Sequence, residues 1–264
     1  MNRSKLDLVK KKILDFYMYL DRDDLGISKE LLEHGMREKN SVDFIKKILR
    51  ADMNVLELGA NIGFYALIEA PIVKHIFAIE PVKYNYNLLK KNVKLNKADN
   101  VSFYNIAIGA TTGKGKIYTS KRCNWATITE RKDRTDDYAQ RWDKFDKGYQ
   151  EVYIYRLDDF VSEYAIEDID LIRMDVEGAE IDIISGGLET LAKMKQNSWL
   201  VIEIHSSCIR NKESVKNMLD NIEACGFKVT KAVSKFKDFD IDAIGNIKDF
   251  LTYKVGCPQV FFKK

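Results

Sequence analysis

A glycine-bearing turn, Glu57-Leu58-Gly59-Ala60-Asn61-Ile62-Gly63, follows the apolar run Met53–Leu58 directly and leads into a segment with helical spacing. Glycines there let the backbone turn sharply and approach a ligand closely, and the helix that follows opens with free N–H groups. This helix runs from about Ile62 and is stopped by Pro71. His75–Glu80 (HIFAIE) reads as the next strand, Val82–Asn96 as a helix with Val82, Tyr86, Leu89 and Val93 on one face, and Val101–Ile106 as a third strand. The β-α-β-α-β order commits this part of the chain to a parallel sheet with right-handed crossovers.

The winding resumes later. Asp170–Asp175 is a strand, a helix follows from about Gly178, and Trp199–Ile204 is a strand ending at His205. Lys212–Cys225 is helical and stops at Gly226. Phe227–Val233 and roughly Thr252–Phe262 supply the last two strands. Two regions interrupt this regularity. From Ser4 to Arg50 the pattern reads as helical, because Leu6, Val9, Ile13, Phe16 and Leu20 recur by threes and fours, and Ser28 and Ser41 stand as N-caps. That layer is either plain packing or a lid. Between the third strand and Asp170 lies an insert, about 111–157. Within it Gly113–Ser120 is a strand or hairpin, Lys121–Gln150 is polar and aromatic without clean periodicity, and Val152–Leu157 is a returning strand. The expected division is an N-terminal helical layer, 1–50, and one α/β domain, 51–264.

Composition excludes several classes. At 264 residues with 45% hydrophobic and 31% charged residues, the chain is neither disordered nor short of core. Lys and Arg number 43 against 40 Asp and Glu, and they are scattered, so no nucleic-acid partner is expected. Cys123, Cys208, Cys225 and Cys257 form no C-x-x-C pair, which argues against a zinc knuckle and for reduced thiols. Charges interrupt every apolar stretch and the N-terminus has no apolar signal core, so no membrane span is expected and the compartment expected is the cytoplasm. The oligomeric state stays open.

Glu80 lies 23 residues beyond Glu57, about the separation at which an acid meets ribose hydroxyls in such folds. A dinucleotide fingerprint would read G-x-G-x-x-G, but Asn61 takes the second glycine's place and Phe64 the third's. No G-x-x-x-x-G-K-[ST] occurs. The turn therefore suits a nucleoside ligand without phosphates. A nicotinamide-dependent oxidoreductase and a non-catalytic binding module are the alternatives.

The stretches VLELGANIGFYALI, IFAIEP, NIAIG, YRLDDF, DLIRMDVEGAEIDIISGG and WLVIEIH together resemble the FkbM-type S-adenosylmethionine-dependent methyltransferases, from about Leu49 to His205. The resemblance implies a Rossmann-like class I methyltransferase fold, with a mostly parallel seven-stranded sheet and helices on both faces. It implies S-adenosyl-L-methionine as cofactor and direct in-line O-methylation of a hydroxyl on a sugar, glycan or secondary metabolite. Glu57, Gly59, Ala60, Asn61 and Gly63 would hold the methionine portion, Glu80 the ribose, and Asn105 and Ala107 would lie near adenine.

Asp175 would close the fourth core strand at the switch-point crevice, in contact with cofactor and reaction alike. Glu177, a further catalytic candidate, and Glu180, read as structural, follow within one turn, where acids also serve a helix macrodipole. His205, ending a strand at the same edge, is an expected base with Asp175 as the alternative. Asp175, Glu177 and His205 have metal-ligating side chains, but the resemblance requires no metal and none is expected. Asn124 and Trp125 would form an acceptor wall, or Trp125 anchors the insert. Arg156, with Arg122 and Arg173, is a candidate for an anionic acceptor, and Arg37-Glu38 for closing the pocket.

Overall fold

The computed structural model describes residues 7–128, 146–205, 212–233, 238–239 and 257–264. The apolar runs around the glycine turn become five parallel strands: β3 (Asn54–Leu58), β4 (His75–Ile79), β5 (Val101–Tyr104), β9 (Ile169–Met174) and β10 (Trp199–Glu203). Their order in space is β10-β9-β3-β4-β5. Three antiparallel strands extend the β10 side: β13 (Gln259–Lys263), β11 (Lys228–Val233) and the two-residue β12 (Asp238–Phe239). Counting β12, the sheet has eight strands, five of them parallel as expected, and is mixed rather than purely parallel.

Both faces are covered, and each strand divides its residues between them with a period of two. Val55, Leu171, Val201 and Phe261 join one buried cluster, beneath α1 (Ile27–His34), α2 (Lys39–Ile48), α3 (Phe64–Glu69) and α4 (Lys83–Leu95). Leu56, Ile172, Leu200 and Val260 join the other, beneath α5 (Leu157–Glu163), α6 (Glu180–Ser185), α7 (Leu188–Lys193) and α8 (Lys212–Ala224). The chain winds outward from β3 through β4 to β5, then returns to β9 on the other side of β3. That reversal opens a crevice beyond the ends of β3 and β9, where open α/β sheets take their ligands.

The N-terminal segment departs from the sequence expectation. Residues 8–21 form a hairpin, β1 (Leu8–Ile13) and β2 (Phe16–Asp21), and not a helix. Phe16, Met18 and Leu20 are buried while Tyr17 is exposed, a two-residue alternation that the three-and-four spacing had masked. Aromatic residues in the run FYMYL also favour a strand. The free edge of β2 is satisfied from α4: Asn92 and Asn96, one turn apart, each accept from and donate to the β2 backbone, at Tyr19 and Tyr17. Ser28 and Ser41 lie inside α1 and α2 rather than at their caps. Asp24 does the capping instead, its Oδ2 accepting the Ser28 N–H at 2.8 Å.

In the insert, β7 (Gly113–Ser120) pairs with β8 (Asp146–Arg156), which pairs with β6 (Ala107–Gly109). The returning strand starts earlier than expected, and α5 follows it unanticipated. The middle of the polar stretch and the first part of the expected last strand lie outside the described residues. No helix among the described residues is long and apolar enough to cross a membrane.

Candidate active site

Gly59 carries the chain out of β3 with φ +84°. A side chain at this position would meet the Asp175 carbonyl oxygen at 2.1 Å, so glycine is what lets the turn lie against the end of β9. The N–H groups of Gly59 and Ala60 both donate to the Ile79 carbonyl, tying the turn to β4. Asn61, at φ +50°, is a residue type that tolerates the left-handed region. Its N–H donates to Glu80 Oε2 at 2.9 Å, and Glu80 Oε1 accepts from Val82 N–H at 2.9 Å and from the Asn85 amide at 3.3 Å. Burial pushes the Glu80 carboxyl up to about 7, against the pull of these donors.

A cleft opens here, lined among others by Gly59, Asn61, Glu80, Ala107, Asn124, Asp175 and Glu177. Its floor and walls include Leu58, Ile79, Ile108 and Ile117. A roof comes from two segments that spacing alone did not connect with the turn. The Cys123 carbonyl accepts from the side-chain amides of Asn61, at 3.0 Å, and Asn85, at 2.8 Å. The Cys123 N–H donates to Asp24 Oδ1 at 2.8 Å. Insert and N-terminal layer thus meet over the glycine turn.

Other expected residues are placed elsewhere. Gly63 starts α3, facing Leu89. Asn105 donates to the carbonyls of Glu80 and Pro81 and shapes the loop rather than the lining. Glu57 is fully buried, with its carboxylate 3.2 Å from Arg173 Nη1. Arg173 also lies 3.7 Å from Asp175 and stacks on the Tyr65 ring, so it is committed within the protein. Trp125 lies under the guanidinium of Arg122, a residue of the same insert, and is not part of the cleft lining. Arg156 pairs with Asp158 and Asp159, outside the cleft lining. Arg37 and Glu38 form a buried ion pair that Tyr65 and Gln259 extend by hydrogen bonds, also outside that lining.

Beyond Asp175 and Glu177, the loop after β10 brings in His205, which is 3% exposed. Its Nδ1 is 2.7 Å from Glu180 Oε1, and its Nε2 is 3.5 Å from Glu177, 3.6 Å from Glu203 and 3.8 Å from Asp175. Burial alone would lower the imidazole pKa, but the Glu177, Glu180 and Glu203 carboxylates hold it well above its ordinary value. Glu203 itself is pushed well up by burial and by Asp175. Glu180, Glu203 and Gln259, whose amide lies 3.3 Å from Glu203, belong to this group without having been assigned a site role from sequence.

The Methyltransferase FkbM domain model matches residues 57–229. This chain belongs to the FkbM methyltransferase family. The 2-O-methyltransferase NoeI of Sinorhizobium fredii is 32% identical over 155 residues, covering 55% of this chain and 62% of that protein. Methyltransferase sdnD of Sordaria araneosa is 28% identical over 154 residues, covering 50% and 59%. The match therefore spans about three-fifths of the length of these relatives. The crystal structure of an FkbM methyltransferase from Methylobacillus flagellatus KT aligns with 81% of this chain and 44% of its own, at 12% identity and a TM-score of 0.47.

S-adenosylmethionine is the cofactor of this FkbM methyltransferase domain, and the cleft's chemistry fits it. The lining offers carboxylates from Glu80, Asp175 and Glu177 and, among the described residues, no lysine or arginine that would seek a phosphate. Asn124 Oδ1 is buried at the wall without a hydrogen-bond partner among the described residues, an acceptor suited to an amine or hydroxyl of a bound nucleoside.

Proposed function

We propose that this FkbM-family chain transfers a methyl group from S-adenosylmethionine to a hydroxyl oxygen of a sugar, glycan or secondary metabolite. The observation that carries the reading is the cleft at the β3–β9 switch point, which is acidic, free of basic side chains among the described residues and joined to the glycine turn through Asn61 and Glu80. One relative, the 2-O-methyltransferase NoeI, supports a hydroxyl as the acceptor group. S-adenosylmethionine supplies an electrophilic methyl carbon on a sulfonium, open to in-line attack.

On this reading Glu80 holds the ribose hydroxyls, the Gly59–Asn61 backbone lies along the methionine portion, and Ala107 and Asn124 border the base. Glu57 acts from behind the turn, through its ion pair with Arg173, and Asn105 shapes the Glu80–Pro81 loop. Asp175, Glu177 and His205 form the wall at which the acceptor hydroxyl gives up its proton. Acidic walls also suit a cationic donor. The largest contribution asked of the protein is holding oxygen and methyl carbon in line, an effect worth roughly 7–11 kcal/mol in favourable cases.

Calorimetric titration with S-adenosylhomocysteine tests the reading. The chain should bind it and not NAD. Glu80→Ala should weaken that binding at least tenfold, since hydrogen bonds to a charged group contribute about 1.5–3 kcal/mol. An unchanged affinity rejects the ribose assignment, and stoichiometric binding of NAD alone rejects the activity.

A further inference from the structure

We infer that Asp175, Glu177, Glu203 and His205 form a binding site for a divalent cation of the Mn²⁺ or Mg²⁺ type, one that the resemblance did not call for. Donor atoms of Asp175, Glu177 and His205 all lie within 4.8 Å of one another. Glu203 adds a fourth, 3.6 Å from His205 Nε2. They come from two separate loops, after β9 and at the end of β10, so the fold assembles the group.

Three features point to a cation rather than to a set of mutual ion pairs. The first is spacing. A charge-assisted hydrogen bond from Nε2 would be about 2.7–2.9 Å long. His205 Nε2 comes no nearer than 3.5 Å to any of the three carboxylates. Neighbouring ligands around an ion with bonds of about 2.1–2.4 Å are roughly 3.0–3.4 Å apart, so a small inward movement would close these gaps on a central ion.

The second feature is the outer partner. Metal-bound histidines as a rule donate their other ring N–H to a carboxylate or carbonyl. Here Nδ1 faces Glu180 Oε1 at 2.7 Å, which leaves Nε2 turned to the three acids.

The third is unbalanced burial. His205 is 3% exposed and Glu180 0%, and buried polar groups require partners. Two buried oxygens at the rim have no hydrogen-bond partner among the described residues, Glu180 Oε2 and Gln259 Oε1. Both residues already bond to the group, Glu180 to His205 and Gln259 to Glu203. Three carboxylates with one imidazole suit Mn²⁺ or Mg²⁺ better than a soft ion, with the Cys257 thiol, which lies within 4.8 Å of the Glu203 and His205 donors, outside the proposed set.

Asp175 and Glu177 also line the cleft, so the cation would stand at its wall. There it would acidify a coordinated acceptor hydroxyl, whose proton passes to solvent as the oxygen bonds the methyl carbon and the carbon–sulfur bond breaks, its electron pair leaving on S-adenosylhomocysteine. That use rests on the proposed methyl transfer, but cation binding does not.

The test is Mn²⁺ titration of the chelator-treated full chain, read by loss of the free Mn²⁺ resonance signal and by calorimetry. One saturable site per chain is expected. Glu177→Gln and Glu203→Gln should each weaken it at least about tenfold, while Asp159→Asn, an exposed acid far from the group, leaves it intact. Absence of saturable binding overturns the site, as does binding that neither Gln variant weakens. S-adenosylhomocysteine titrated in parallel separates the two readings. If the nucleoside binds and Mn²⁺ does not, the cation site fails and the methyltransferase reading survives; the reverse result leaves only the cation site.

Discussion

Glu69→Gln probes the buried carboxyl pair behind the glycine turn. Glu69, on α3, and Glu57, at the end of β3, are both fully buried and lie near enough for the Glu57 charge to act on the Glu69 carboxyl. Neither Glu69 oxygen finds a hydrogen-bond donor among the described residues, so nothing stabilises its ionised form. Burial, and then the Glu57 charge, hold the Glu69 pKa well above its ordinary value. Burial raises Glu57 too, but the adjacent Arg173 opposes that shift, so the proton stays on Glu69.

Folding therefore takes up a proton wherever an unfolded glutamate, titrating near ~4.3, is ionised and the folded Glu69 is not. The native state binds more protons than the unfolded one, so stability is full below the unfolded pKa and falls as pH rises toward the folded pKa. The slope for one proton is about 1.4 kcal/mol per pH unit. Glutamine is the isostere of the protonated acid and has no such slope. Between pH 5.5 and 7.5 the stability of the variant relative to the parent should rise, with one proton setting an upper bound of about 2.7 kcal/mol. Urea unfolding at both pH values, followed by circular dichroism, measures this, and titrations common to both proteins cancel. Parallel stability profiles, within about 0.5 kcal/mol, would refute the protonated state of Glu69.

Two further outcomes follow from the turn and its roof. Gly35→Ala and Gly59→Ala both force alanine into the left-handed region, but only at Gly59 does the new methyl meet backbone, 2.1 Å from the Asp175 oxygen. Denaturant unfolding should show about 1 kcal/mol lost at Gly35 and about 3 kcal/mol or more at Gly59. Asp24→Ala removes the acceptor of the Ser28, Gly26 and Cys123 N–H groups. It should cost about 1–2 kcal/mol and speed hydrogen exchange at Cys123 specifically.

The glycine turn, the strands around it and the acids at their ends were legible in the sequence because each is a local pattern. A strand buried on both faces is mostly apolar, and a tight turn against another strand favours glycine. Gly59, Asn61, Glu80, Asp175 and Glu177, singled out from position and family resemblance together, share one cleft. The N-terminal hairpin was misread because Ile13, Phe16 and Leu20 satisfy a helical spacing as well as an extended one. What selected the hairpin is the amide pairing of β2 with Asn92 and Asn96, more than seventy positions away.

Side-chain direction escaped in the same way. Nothing near Glu57 in sequence says that its carboxylate turns inward to Arg173, 116 positions on, rather than outward to the cleft. Sequence by itself determined the sheet, its order of winding and the rim at which chemistry gathers, since hydrophobic period and glycine are properties of short windows. Only the tertiary structure decided which polar groups meet: the roof at Cys123, the carboxyl pair at Glu57 and Glu69, and the four acids around His205. Buried charge is settled by whatever partner the fold brings within a few ångströms, and that partner is seldom a neighbour in the chain.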